Sequence, residues 1–383
     1  MFKIFGISIK KILLGATIAL LFILPAKTST PTETEPINVL KTESVISSTT
    51  PVTKTGTTTS ELLSKNLVTQ KTSTTTKQKL VQTNIPASTT PKTITIQLLP
   101  LEQLNEKARP AIVNILCTTQ NGGDFKPLSG SGVFINNKGV ILTNAHIGQY
   151  FLLRDYGVKN YITCVARQGS PASPTFLIEP LYISKKWIEE NKQTIKQEDP
   201  TGTGENDFAL LRAVGKPDGQ PLPQSFPYIE ANINPELVLR SLPMLIIAYP
   251  AGFLGGATIQ TSLSLTSSTG VIKELYNFYD KALLDVISVE GNILSQRGSS
   301  GGAVINQSTG KLEGIITTST NNTSTGERVL FAITPGHIDR EIKTETGQTL
   351  NEFISQDLDI AQKNFKEVLS KPLIDLLTKE IEG

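Results

Sequence analysis

Three short stretches of the chain hold side chains able to do nucleophilic chemistry. GSSGGAVIN (298–306) sets Ser299 and Ser300 between glycines, immediately before a run with β character. A hydroxyl nucleophile needs a tight turn whose backbone N–H groups converge on a developing oxyanion, and glycine supplies both the dihedrals and the room. Taken alone, such a turn is more often an ordinary Gly/Ser loop. GVILTNAH (139–146) ends in His146, at the corner where a buried run gives way to a loop. A histidine there serves either as a base or as a satisfied structural residue. NDFALL (206–211) puts Asp207 at the head of an apolar stretch. A carboxylate entering a buried strand must be paired or hydrogen-bonded, or else caps a turn. Each site has a plain explanation by itself. Jointly, in one β-rich body, they supply a base, a residue to orient it and a nucleophile.

The rest of the composition narrows the chemistry. The 383 residues carry a formal net charge of +2, and no basic run of five or more occurs, so nucleic acid is not an expected partner. There are two histidines and two cysteines, and their spacing has no metal-ligand rhythm; no metal and no cofactor are expected. Cys117 and Cys164 stand on either side of His146, as a disulfide or as two buried thiols. His337, in TPGHIDREI just after Pro335 and Gly336, reads as a surface residue at a helix start.

The elements that must position these residues are short strands. AIVNILC (111–117), GSGVFINN (130–137), GVILTNAH, YITCVARQ (161–168), DFALLRAV (207–214), MLIIAYP (244–250), ALLDVISV (282–289), AVINQ (303–307), KLEGIITTST (311–320) and RVLFAITP (328–335) are rich in Val, Ile and Thr, with turn residues between them. This pattern predicts an all-β barrel or sandwich. The polar stretch 185–206 reads as an insertion or long loop. Residues 350–369 have helical periodicity, with Leu350, Phe353, Ile354 and Leu358 on one face, and Pro372 should break or kink the run.

The N-terminus is of another kind. Lys3, Lys10 and Lys11 precede an uncharged apolar stretch, Ile12 to Leu24, the pattern of an export signal. Residues 1–26 are read as a cleaved signal peptide or an uncleaved signal-anchor, which would hold the protein at a membrane. Residues 27–95 are Thr/Ser-rich and poor in aromatics, so they are expected to be a disordered linker. Either way the folded part is exported, secreted or anchored.

ILTNAH, NDFALL and GSSGG, each beside a β-run, resemble the motifs of the chymotrypsin-fold serine peptidases, with the bacterial Deg/HtrA-type branch nearest. His146 precedes Asp207 by 61 residues and Asp207 precedes Ser300 by 93, in the order of that fold. LIIAYPAG (245–252) and VLFAITP are similar to further strands of the branch. The resemblance covers about residues 105–340. It implies two antiparallel β-barrels with a cleft between them, a peptidase domain over 96–340 and a helical segment over 341–383. It also implies Ser300 as nucleophile, His146 as general base, Asp207 as its orienter, and the Gly298 and Ser300 amides as oxyanion hole. Leu294 and the stretch from Thr317 and Thr318 onward would line the primary substrate pocket. With no acidic residue there, a small-to-medium apolar residue before the scissile bond is expected. Many relatives tie down the histidine loop with a disulfide, which would here join Cys117 to Cys164.

Two departures stand out. Ser299 occupies a position where Asp or Asn is usual, and Arg297 precedes Gly298 where the branch usually has proline. No room for a C-terminal PDZ domain and no basic-to-Ile activation site are evident. The expected activity is serine endopeptidase cleavage of a protein or peptide, the alternative being a catalytically impaired binding or scaffold protein on the same fold. An α/β-hydrolase esterase is disfavoured by the residue order and the lack of a G-x-S-x-G elbow.

Overall fold

Alternation along the strands decides how this chain packs. In β7 (Pro243–Ala248), Met244, Ile246 and Ala248 enter one apolar cluster while Leu245 and Ile247 enter another. Successive side chains of a strand point to opposite faces, so a strand apolar at every position is buried on both. The computed structural model describes residues 96–120, 125–197, 204–234, 240–278, 283–290, 292–319 and 327–383. The expectations for residues 1–95, and for Thr320, lie outside these.

Twelve strands form two closed six-stranded antiparallel barrels. The first takes β1 (Ile112–Thr119), β2 (Leu128–Phe134), β3 (Val140–Thr143), β4 (Ile162–Gly169), β5 (Ala172–Ile183) and β6 (Ala209–Gly215), closing in the order β1-β2-β3-β6-β5-β4. The second takes β7, β8 (Thr266–Tyr276), β9 (Val286–Glu290), β10 (Ala303–Asn306), β11 (Leu312–Ser319) and β12 (Val329–Ile333), in the order β10-β11-β12-β9-β8-β7. The smaller cluster takes at least one residue from every strand of the second barrel (Met244, Ile272, Ile287, Val304, Ile316 and Leu330) and is its interior. Leu245, Ile247, Ala303, Ile305 and Ile315 point the other way, into the cluster that also holds Ile115 and Leu142 of the first barrel. The two barrels thus share a continuous apolar seam.

The predicted double barrel is present, with ten of its strands where the sequence places them. The two others, β5 and β8, have readable reasons for escaping notice. β5 carries Pro174 and Pro180, and its register shifts at Leu177/Ile178 and Pro180/Tyr182, which breaks the period of two. In β8 only Ile272 is fully buried, so its pattern is mostly polar.

Eight α-helices complete the described residues: α1 (Leu101–Ala108), α2 (Ala145–Leu152), α3 (Lys185–Asn191), α4 (Gly256–Thr261), α5 (Pro335–Thr346), α6 (Leu350–Ser355), α7 (Leu358–Asn364) and α8 (Ser370–Glu382). Four of them correct expectations. His146 stands not at a strand-to-loop corner but in the first turn of α2. The supposed loop 185–206 holds α3 and a 3₁₀ turn, Lys192–Lys196; Ser184 caps α3 by accepting from the Trp187 amide, and Trp187, Ile188 and Ile195 are buried. Three buried apolar side chains anchor a stretch whose overall composition is polar. The run 350–369 is not one helix, because Asp357 starts a new one by capping the Asp359 and Ile360 amides. Leu350, Phe353, Ile354 and Leu358 are nevertheless all buried. Pro372 does not end the helix either. It lies in the first turn of α8, directly after a π-helical turn over Phe365–Leu369, where the regular i→i−4 ladder is already interrupted. Among the described residues no helix is long and apolar enough to cross a membrane.

Cys117 and Cys164 are direct partners in the β1–β4 register and form a disulfide, with Cα atoms 4.0 Å apart. The bridge closes 47 residues that include α2 and His146. By the chain-entropy model such a loop is worth about 2–4 kcal/mol. Replacing both cysteines by alanine should lower the stability by that amount, read from the denaturant midpoint, and reductant should have no effect on the variant.

Candidate active site

The β3–β6 register sets Thr143 opposite Ala209. Continuing past the ends of both strands, the chain brings His146 and Asp207 together at the mouth of the first barrel. Asp207 is wholly buried and accepts three hydrogen bonds. Its Oδ1 takes the His146 amide at 2.9 Å, and its Oδ2 meets His146 Nδ1 at 2.8 Å and the Thr317 hydroxyl at 2.9 Å. The Asn144 side chain donates to the Asp207 carbonyl at 2.8 Å, fixing the backbone as well. A carboxylate can only accept from the ring, so the proton sits on Nδ1 and Nε2 is left with a lone pair. His146 is 3% exposed, and it lines the same cleft as Ser300.

The Ser300 turn is built by glycine where nothing else fits. Gly298 and Gly301 have φ of +83° and +81°. A Cβ on Gly301 would fall 2.0 Å from the Ser131 carbonyl, and one on Gly298 2.7 Å from that of Tyr249. Ser131, on β2, holds this turn against the first barrel. Its amide donates to the Ser300 carbonyl at 2.7 Å, and its hydroxyl donates to the Gly298 carbonyl at 2.8 Å while accepting from the Tyr249 amide at 2.9 Å. The Arg297 carbonyl accepts from the Ala251 amide and the Ser299 carbonyl from the Gly302 amide, both at 2.8 Å. A trans peptide points its N–H opposite its C=O, so the Gly298 and Ser300 amides face away from those partners. Among the described residues neither of these amides has an acceptor. Arg297 thus contributes its carbonyl to the turn while its side chain lies outside, and Ser299 is fully buried beneath it.

The cleft between the barrels has a volume of ≈ 700 Å³, and all the residues predicted for substrate contact line it: Leu294, Thr317 and Thr318. The Ser300 hydroxyl also opens into it and donates to the Thr317 carbonyl at 3.4 Å rather than to His146. No carboxylate is among its lining residues, whereas Lys126, Arg297 and Arg328 are. Thr317 does more than sequence reasoning gave it, since its hydroxyl is spent on Asp207. The cause is a register shift between Ile316 and Thr318 in β11, which leaves Thr317 unopposed and turns its side chain out of the ladder. A bulge of this kind leaves no mark in the sequence pattern. Arg328, held over the Phe253 ring at 5.3 Å, was also absent from the predicted set.

His337 contradicts the sequence expectation. It is 2% exposed, with its ring between Asp285 Oδ1 at 3.1 Å and the Glu205 carbonyl at 2.7 Å. Thr334 caps α5 by accepting from the His337 amide, which turns the first helical residues inward.

Residues 130–315 match the family model for the trypsin-like peptidase domain. With two six-stranded barrels around a His/Asp/Ser cleft, the chain carries a trypsin-like peptidase domain of chymotrypsin fold. Similar solved structures include a serine endoprotease from Yersinia pestis, 19% identical over 69% of this chain and 70% of the other, with a TM-score of 0.41. Another is the active form of a protease from M. tuberculosis, 18% identical over 70% of this chain and 96% of the other, TM-score 0.40. A third is the HtrA-type protease AlgW with a tripeptide, 19% identical over 64% of each chain, TM-score 0.39. No curated protein matches the chain.

The Ser131 clamp gives a direct check on how the turn is held. Ser131→Ala leaves the Tyr249 amide and the Gly298 carbonyl without their partner in a buried place, at about 1–3 kcal/mol for each buried group left unpaired. The denaturant midpoint should fall accordingly, with the slope of the unfolding transition unchanged.

Proposed function

We propose that this chain hydrolyses peptide bonds outside the cytoplasm, with Ser300 as nucleophile, His146 as general base and Asp207 as its orienter. One observation carries this reading: His146 is anchored to Asp207 through Nδ1, which leaves Nε2 as the ring's acceptor in a cleft shared with Ser300 and two amides that have no acceptor among the described residues. In the reaction, Ser300 Oγ attacks the scissile carbonyl carbon as its proton passes to His146 Nε2. The new oxyanion takes the Gly298 and Ser300 N–H groups. Collapse breaks the C–N bond, and His146 returns the proton to the leaving amine. Water, deprotonated by the same ring, then cleaves the acyl-enzyme and restores Ser300. The Ser300 hydroxyl has only to turn from the Thr317 carbonyl for the first step, since catalytic hydrogen bonds often tighten only once substrate is bound.

Leu294, fully buried in the cleft wall, and the absence of lining carboxylates support a small-to-medium apolar residue before the scissile bond. The Lys-flanked apolar segment at 1–26 and the Thr/Ser-rich stretch at 27–95 support export, as a secreted or membrane-tethered enzyme, with the peptidase domain over 96–340 and a helical segment over 341–383. The competing reading, a peptidase fold kept for binding, draws on the 3.4 Å contact that holds the Ser300 hydroxyl on Thr317.

A fluorophosphonate probe separates the two. It should label the wild type and leave Ser300→Ala and His146→Ala unlabelled; a folded wild type that takes no label overturns the peptidase reading. Thr317→Val should still be labelled, but more slowly by about 5- to 150-fold, the equivalent of about 1–3 kcal/mol for a buried carboxylate that has lost a donor.

A further inference from the structure

The second histidine sits in a hydrogen-bond arrangement that only one protonation state satisfies. The Glu205 carbonyl, 2.7 Å from His337 Nε2, can only accept, so Nε2 carries a proton. On the other side, Nδ1 meets Asp285 Oδ1 at 3.1 Å, and that carboxylate is also held by Arg340 Nη2 and by the Phe278 amide at 2.9 Å. Burial pushes the Asp285 carboxyl up, but the bonds from His337 and Phe278, with the His337 and Arg340 charges, hold it below its ordinary value. An ionised Asp285 can only accept, so Nδ1 is protonated too. A ring that donates from both nitrogens is an imidazolium. Either neutral tautomer would set a lone pair against an oxygen.

The position of this ring connects it to the cleft. His337 belongs to α5, which follows the last strand of the second barrel, whereas Glu205 lies in the turn that enters β6 of the first. Only Asn206 separates Glu205 from Asp207, and Asn206 is itself buried, with its carbonyl taken by the Phe208 amide. Two residues span at most about 7 Å, so a shift of the Glu205 carbonyl is passed to Asp207 with little slack. Among the described residues, the charged groups around the ring are Asp285 before β9, Arg340, Glu341 and Lys343 on α5, and Glu205 itself, whose carboxylate meets Lys186 of α3 at 3.5 Å; Lys186 also lies 4.0 Å from Glu341. Phe278 closes the ring's edge at 5.0 Å between centroids. A shallow cavity of ≈ 430 Å³ lined by Asp285, His337, Arg340 and Lys343 opens the cluster to solvent and to proton exchange.

We propose that His337 is a positioning residue for the peptidase reaction: as an imidazolium it clamps the Glu205 carbonyl, and with it the turn that presents Asp207 to His146. This rests on the triad reading above. The sign follows from the hydrogen bonds. Loss of the His337 proton as pH rises turns one donor into an acceptor, and the contact to Glu205 changes from attractive to repulsive. Activity therefore falls on the alkaline side through His337, in addition to the acid-side loss expected when His146 is protonated.

The test uses the full chain and two readouts. First, ring ¹⁵N NMR of the Ser300→Ala protein should show His337 protonated at both nitrogens at neutral pH. The chain has only two histidines, so loss of one signal set in a His337→Gln background assigns it. Second, fluorophosphonate labelling rates are followed from about pH 5 to 10. The wild type should pass through a maximum. His337→Gln, whose amide can donate to Glu205 at every pH, should lose the alkaline fall while staying within a few-fold of the wild-type maximum; His337→Ala should be slower by about ten-fold or more at every pH. A neutral His337 ring at neutral pH, or an alkaline fall unchanged in His337→Gln, overturns the proposal. Should His337→Ala fail to fold, the NMR and the glutamine variant decide. A wild type unlabelled at every pH signals failure of the triad reading instead, and is told apart by a ring that is still doubly protonated.

Discussion

The buried carboxylate of Asp207 is the constraint on which the site depends. A carboxylate removed from water is costly unless its oxygens are occupied, and here the donors come from both barrels. His146 supplies its amide and its ring from the first, and Thr317 supplies a hydroxyl from the second. Satisfying one anion therefore fixes the imidazole, the end of β11 and the spacing of the barrels across the cleft. Helix α2 and the bulge in β11 are the local devices that deliver those donors.

A second set of bonds does for the nucleophile what Asp207 does for the base. Ser131 reaches across from β2 to the Gly298 and Ser300 carbonyls, and the Ala251 amide takes the Arg297 carbonyl. Every carbonyl of the turn from 297 to 300 thus has a donor, and peptide planarity leaves the intervening Gly298 and Ser300 amides directed elsewhere. The oxyanion donors are a by-product of satisfying the carbonyls. The two positive-φ glycines permit it, since a side chain at either would strike the backbone. Arg297, where the branch usually has proline, still presents its carbonyl to the Ala251 amide and so keeps this pattern.

Much of this was legible in the chain. The strand runs, the His146–Asp207–Ser300 order and the Gly/Ser turn follow from period-two patterning and from glycine placement, both local properties. β5 and β8 were missed because prolines, bulges and solvent-facing polar residues hide the alternation. The helix within 185–206 was missed because Trp187, Ile188 and Ile195 are few among charges. His337 was misplaced for a related reason: its neighbours Asp339, Arg340 and Glu341 are polar, and nothing in TPGHIDREI says that Asp285 and the Glu205 carbonyl wait on its inward side.

The sequence by itself determined the residue types, their order and the glycines that make the turns possible, because these depend on local dihedral and burial preferences. Only the tertiary structure decided which acceptors each side chain meets. Thr317 could have been a pocket wall, and became the third donor to Asp207 through one unpaired residue in β11. Cys117 and Cys164 could have stayed thiols, and became a bridge because the β1–β4 register sets them face to face. Hydrogen-bond partners more than 50 residues apart are selected by barrel closure, and no local pattern records that choice.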